Sequence, residues 1–352
     1  MSETNRVHRV PRGTLTPLAA ALVLACGVPA PGLDAGGLDA GDLDAGRDGA
    51  VRDAALLDAS ASDAAAPDAG ELAWTRVTTA DGARLEGELV ATYDHSIWWW
   101  SPADERTYAL FDPRALAEWP DDRSLRFVSS LDVTALDAIA RPAGQPTYRE
   151  AMRGAGVGLE RVPLDGVAFV ITGGERYHLE ENGYGDFAWD LVVHDDAGRS
   201  HSGDGLVNTD YYAFEREVRM PVGGIVVEVV SDAPDVPPGP ADLDAVNNLV
   251  GVQVYGGYYV YLLHLRQGSV PAGVTVGARV ETGDLVGLVG NSGVTAEPHL
   301  HVVALAYDVD ADPARTWSVP AEWRDVWIGA RRGTLEPYAV PVGGQYVSND
   351  AF

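Results

Sequence analysis

Along most of the chain, apolar residues recur at every second position or in short runs, a period that suits strands rather than helices. Trp74 to Thr79, Arg84 to Tyr93 and Ile97 to Trp100 form a first group, with Asp81-Gly82 and Ser101-Pro102 as turn signals. From Val157 the runs are Val167 to Thr172, Ala188 to Val193, Gly224 to Val230, Val252 to Tyr255, Tyr258 to Leu263, Val286 to Val289 and Leu300 to Ala306. Gly-Gly, Asp-Asp-Ala-Gly, Pro-Pro-Gly-Pro and Gly-Asn-Ser-Gly clusters bound them, and no long 3.6-residue period intervenes. The pattern predicts a mainly β chain, with an antiparallel β domain over residues 157–310 and a small β-rich domain over 71–130 before it. Leu131 to Ala140 reads as a short helix ending at Arg141-Pro142, within a linker over 131–156. Residues 311–352 form a C-terminal extension, in which Trp317, Trp323 and Trp327 are expected to cap the β domain.

The N-terminal part follows another pattern. Arg6, Arg9 and Arg12 precede an apolar run from Leu15 to Ala25, which has the length of a signal peptide and not of a comfortable membrane span. Residues 1–25 are therefore expected to be a signal peptide. The run ends Val23-Leu24-Ala25-Cys26-Gly27, which resembles a bacterial lipoprotein signal, and Cys26 is the sole cysteine of the chain. Lipidation at Cys26 would anchor the exported protein to a membrane; an ordinary secretory signal with an incidental cysteine is the other reading. Over 26–70, Leu-Asp-Ala-Gly recurs three times and then decays into Asp, Ala, Ser, Pro and Gly. Such a stretch buries too little apolar surface to offset its ordering entropy, so a disordered acidic tether is expected. A calcium-binding Gly/Asp repeat is the sharper alternative, against which its shortness and alanine content count.

Composition narrows the function. A formal charge of −27 runs against the basic face that a phosphate-backbone partner demands, and none is visible in the sequence, so no nucleic acid is expected. All 25 basic residues are arginine, which rules out Schiff-base lysines and Walker-type phosphate loops. The run Trp98-Trp99-Trp100 reads either as a sugar-stacking platform or as a strand covered on both faces.

Of eight histidines, His8 leaves with the signal, and His95, His194 and His201 read as solvated loop residues. The pair His299-Leu300-His301 is different. Strand alternation puts both imidazoles on one face, about 7 Å apart, where burial demands a partner such as a metal. His264 ends the apolar run Tyr261-Leu262-Leu263, and Asp190 is the lone carboxylate inside Phe187 to Val193. A buried aspartate there calls for a cation or several donors.

The segment Gly283-Asp284-Leu285-Val286-Gly287-Leu288-Val289-Gly290-Asn291-Ser292-Gly293, followed by Glu297-Pro298-His299-Leu300-His301, resembles the closing signature of the lysostaphin/LytM-type zinc metallopeptidases. Tyr261 to Leu265 with Gly268-Ser269-Val270, Phe187 to Asp190, and Pro221-Val222 with Gly224 and Val226 resemble upstream elements of that family, in the same order. The resemblance covers roughly residues 160–306. It implies a metallopeptidase domain with Zn2+ held by His178, Asp190 and His301, and with His264 and His299 as catalytic imidazoles. Many members place the first ligand four residues before the aspartate, where this chain has Asp186; His178 lies twelve before Asp190, in a longer loop used by some branches. The resemblance further implies hydrolysis of peptide bonds in peptidoglycan stems or cross-bridges, at the cell envelope. A non-catalytic wall-binding or amidase-activating relative is the alternative, which purification without zinc would reveal.

Overall fold

The computed structural model describes residues 74–94, 105–118, 121–174, 183–242, 244–308 and 315–352. The expected signal peptide, Cys26, the acidic tether, His95, Trp98-Trp99-Trp100 and the expected ligand His178 lie outside the described residues.

Five strands come first: β1 (Trp74–Thr79), β2 (Arg84–Asp94), β3 (Arg106–Phe111), β4 (Leu125–Ser129) and β5 (Val133–Ile139). They form an antiparallel sheet in the order β4-β3-β2-β1-β5. One face holds a small apolar cluster of Val77, Leu110 and Val128; the other turns Tyr93, Ala109 and Phe111 toward Tyr148, Tyr258 and Trp317 of the following chain. The helix expected over Leu131 to Ala140 is instead strand β5. Trp74 pairs with Ile139 and Val77 with Leu136, so the open edge of β1 supplies hydrogen bonds that outweigh the helical preference of Ala-Leu-Asp-Ala. The linker does hold a helix, α1 (Tyr148–Ala155), with a capping box between Thr147 and Glu150 and Gly156 as its left-handed C-cap. It buries Tyr148, Ala151 and Met152.

The larger sheet begins with β6 (Val167–Gly173) and β7 (Trp189–Val192). After β8 (Glu217–Arg219) come β9 (Gly224–Val230), β10 (Leu249–Tyr255), β11 (Tyr258–Leu263) and β12 (Arg279–Val280). After β13 (Leu285–Leu288), which pairs with β8, the long strand β14 (Leu300–Asp308) takes the centre. The tail supplies β15 (Arg315–Ser318), β16 (Trp323–Gly329), β17 (Thr334–Ala339) and β18 (Tyr346–Ser348). The order is β12-β9-β10-β11-β14-β7-β6-β18-β16-β17, with β15 beside the far end of β14. The tail is thus built into the sheet: Val347 pairs with Ala168, and Trp323 meets Trp189 edge-on at 5.4 Å.

β11 and β14 are buried on both faces, which explains their nearly unbroken apolar runs. Val260, Leu262, Leu300 and Val302 enter the main core with Trp189 and Leu191. Tyr259, Tyr261, Leu263, Val303 and Leu305 line the opposite face. On that second face the register aligns Leu249, Leu263, His301, Asp190 and Thr172 in one row across five strands. That row carries the site.

Candidate metal centre

His301 and Asp190 are cross-strand partners, so their side chains share a face of the sheet. His301 Nδ1 lies 3.0 Å from Asp190 Oδ1, and both residues are buried. The same carboxylate oxygen is 3.4 Å from His299 Nε2. Its other oxygen, Oδ2, accepts a hydrogen bond from Thr172 Oγ1 at 3.0 Å, which fixes the carboxylate plane. The 3.0 Å contact is a hydrogen-bond distance, a little shorter than the roughly 3.3–3.6 Å that separates two atoms on one tetrahedral zinc at 2.0–2.2 Å.

His299 and His301 do face one side, as the two-residue period requires. His299 Nδ1 lies 2.8 Å from the carbonyl oxygen of Glu297. A carbonyl only accepts, so Nδ1 carries a proton, and a second proton on Nε2 makes that nitrogen a donor toward Asp190.

His264 reaches the site by a different route. Leu263 pairs with His301, so simple alternation would send the next side chain to the opposite face. Instead His264 adopts a left-handed backbone, with φ of 62°. This turns its ring to within 4.5 Å of the His299 ring and 5.8 Å of the His301 ring, centroid to centroid. Its Nδ1 lies 2.8 Å from the Ser292 carbonyl oxygen, which leaves Nε2 as the site-facing lone pair. His264, His299 and His301 present nitrogens within 4.8 Å of one another, the only such cluster of candidate ligands among the described residues. Of the expected site, Asp190, His264, His299 and His301 therefore converge. His178 lies outside the described residues.

The electrostatics follow from burial. Desolvation, reinforced by the positive charge that His299 and His301 would carry, pushes the His264 imidazole far below its ordinary value, so it stays neutral. Burial also acts to lower His299, but the charge and hydrogen bond of Asp190, with the Glu297 carbonyl, outweigh it and raise the value in the metal-free protein. Imidazole nitrogens and one carboxylate form a donor set that suits zinc, and ring N–H groups held by carbonyls are the usual second support of such ligands.

Sequence reasoning passed over the residues that hold the histidines. Ser292 Oγ donates to the Leu265 carbonyl at 2.8 Å and accepts from Asn248 N at 2.9 Å. The Asn248 side chain accepts from Ala233 N at 2.9 Å and donates to the carbonyls of Ala233 and Leu265 at 2.8 and 3.0 Å. Both residues are fully buried. Gly293 follows at φ 84°, where a Cβ would collide with Asn247. The Gly-Asn-Ser-Gly motif was visible, but its link to Asn248 needs two loops brought together. His194 differs from expectation: its ring stacks on Phe169 at 4.2 Å and its Nδ1 lies 3.2 Å from the Tyr346 hydroxyl. The ring of His201 lies 5.1 Å from that of Tyr211.

Residues 210–313 match the model of peptidase family M23. No curated protein matches the chain. Among solved structures, a zinc-containing peptidase from Vibrio cholerae is 15% identical, with a TM-score of 0.28, over 60% of this chain and 45% of its own. Lysostaphin from Staphylococcus simulans is 18% identical, with a TM-score of 0.25, over 42% and 46%. The catalytic domain of the prophage-encoded M23 protein EnpA from Enterococcus faecalis is 16% identical, with a TM-score of 0.25, over 42% and 86%. The chain thus spans less than half the length of the Vibrio cholerae and lysostaphin chains. With the histidine cluster inside the matched segment, the chain carries an M23 metallopeptidase domain.

Proposed function

We propose that this M23 metallopeptidase domain is a zinc endopeptidase of peptidoglycan, with His178, Asp190 and His301 as metal ligands and His264 and His299 as catalytic imidazoles. The observation that carries the proposal is the meeting of Asp190 with His301 at 3.0 Å and with His299 at 3.4 Å, with the His264 ring alongside. Zinc, when bound there, supplies a Lewis acid and lowers the pKa of a coordinated water. Thr172 holds the Asp190 carboxylate, and strand pairing keeps Asp190 beside His301. His264, kept neutral and with Nε2 unprotonated, serves as proton acceptor or as a prop for the attacking water. His299, on the other side of the carboxylate, donates to the developing oxyanion or to the leaving amine. Export through residues 1–25, lipidation at Cys26 and the acidic tether over 26–70 complete the proposal: an enzyme anchored to a membrane of the cell envelope, able to reach wall polymer.

Purified peptidoglycan incubated with the protein, with and without chelator, followed by mass analysis, tests the reading. Chelator-sensitive release of muropeptides cut at a peptide bond is expected, and intact cross-links with the zinc-loaded protein would overturn it. Metal content separates the residue roles. Asp190→Ala and His301→Ala should purify without zinc. His264→Ala and His299→Ala should retain zinc and lose about 10²–10⁴-fold in turnover. Zinc loss in His264→Ala would instead make His264 a ligand.

A further inference from the structure

The N-terminal sheet has its own cleft. Pairing between β2 and β3 starts at Glu88 and Phe111, so Arg84 to Gly87 run on beyond the end of β3, whose chain turns away through Asp112 to Ala115. The gap is a cavity of about 230 Å³ with Leu85 and Leu110 among its lining. Four guanidinium groups line it, from Arg84, Arg114, Arg123 and Arg126, against the carboxylates of Glu86 and Asp112. Four positive and two negative side chains leave a formal excess of +2. This excess runs against the composition, because acids outnumber arginines 52 to 25 in the chain.

Both acids already have partners. Arg76 Nε binds Glu86 at 2.7 Å, and Arg114 holds both oxygens of Asp112 at 2.7 and 3.0 Å. Arg84, by contrast, forms no ion pair among the described residues. Guanidinium forks match planar carboxylates and phosphates in two-point contacts. Two features select between these anions. Glu86 and Asp112 repel a second negative charge, which disfavours a phosphate dianion. Leu85, half-buried in the lining, favours a ligand with a short aliphatic stem, whereas Leu110 is buried in the apolar cluster.

We propose that this cleft is a binding subsite for a carboxylate on a short aliphatic stem, of the kind found at the free C-terminus of a peptide. It would give the N-terminal sheet a role in holding wall peptides, a natural ligand that rests on the peptidoglycan reading above; the binding chemistry itself does not.

The test is calorimetric titration of the full exported chain with N-acetyl-alanyl-alanine, its C-terminal amide, and inorganic phosphate. Saturable binding of the acid is expected, with a loss of about tenfold or more for the amide and in Arg84→Gln, a substitution at an exposed position. Binding should be unchanged by chelator and in His301→Ala, which separates this cleft from the metal centre. Absence of saturable binding, equal binding of the amide, tighter binding of phosphate, or loss with chelator while Arg84→Gln binds normally would each overturn the proposal. Peptidoglycan left uncut alongside normal binding of the acid would overturn the peptidase reading and leave the subsite standing.

Discussion

The left-handed conformation of His264 is disfavoured for a residue with a side chain, by about 1–3 kcal/mol, and persists only if the surroundings impose it. Here the Ser292 carbonyl accepts a hydrogen bond from its Nδ1, Gly290 N donates to its carbonyl at 2.9 Å, and the Asn248 carbonyl accepts from the next amide at 3.1 Å. Asn248 and Ser292 are therefore positioning residues for His264. Asn248→Ala would leave the amide and carbonyl of Ala233 without their side-chain partner and the Leu265 carbonyl with Ser292 Oγ alone, so urea denaturation should show a loss of roughly 2–4 kcal/mol. A more telling readout is kinetic. Ser292→Ala keeps the carbonyl that binds His264 but loses the hydroxyl that holds the loop, so kcat should fall while zinc content and KM stay near the parent values, and Ser292→Thr should restore kcat. At this scale the His299/His301 pair was legible, because a two-residue period alone puts both rings on one face. The aim of His264 was not legible, because a left-handed turn reverses what alternation predicts.

Between strands, the second face of the sheet contains an acid that the chemistry above leaves unused. Glu228 of β9, Gly251 of β10 and Tyr261 of β11 share one row. The Tyr261 ring lies across Gly251, where a Cβ would come within 2.2 Å of it, and its hydroxyl reaches Glu228 Oε2 at 3.2 Å. Burial raises the Glu228 carboxyl from 4.5 to about 7, against the pull of the Tyr261 hydrogen bond. With the folded value above the unfolded one, the contribution of the protonated acid is fully present below pH 4.5 and is lost as pH rises through 7. The parent should therefore lose stability relative to Glu228→Gln between pH 5 and pH 8, by on the order of 2–3 kcal/mol, as measured by urea midpoints. Gly251→Ala should destabilise at all pH values, by about 1–3 kcal/mol, since the ring has nowhere to move without breaking that bond. Most strands were legible as elements. β5 was not, because the edge of β1 decides its conformation, whereas its own residues favour a helix.

At the scale of the whole molecule, the two sheets share a core. Tyr93, Phe111, Tyr148, Tyr258 and Trp317 pack in one cluster, and the Tyr93 hydroxyl donates to the Ser318 carbonyl at 2.5 Å. Asp122 Oδ2 accepts from Gly257 N at 2.9 Å, tying the small sheet to the β10–β11 turn. Deleting residues 74–146 would strip these partners and expose an aromatic patch, so the truncated chain should aggregate where the full chain stays soluble, as size-exclusion chromatography would show. Metal removal belongs to this scale as well: at a free zinc level about 1,000 times Kd, binding adds about 4 kcal/mol, so chelator should lower Tm measurably. By itself the sequence determined the class of fold, the strand that carries His301 with His299 just ahead of it, and the kind of chemistry, since these depend on local periodicity and on residue types in order. The tertiary structure decided which strand neighbours which, and so set Asp190 beside His301, turned His264 into the site and fused the C-terminal tail into the main sheet. Those outcomes depend on contacts between residues far apart in the chain, such as Trp189 Nε1 with the Pro341 carbonyl, 152 positions away, which no local pattern encodes.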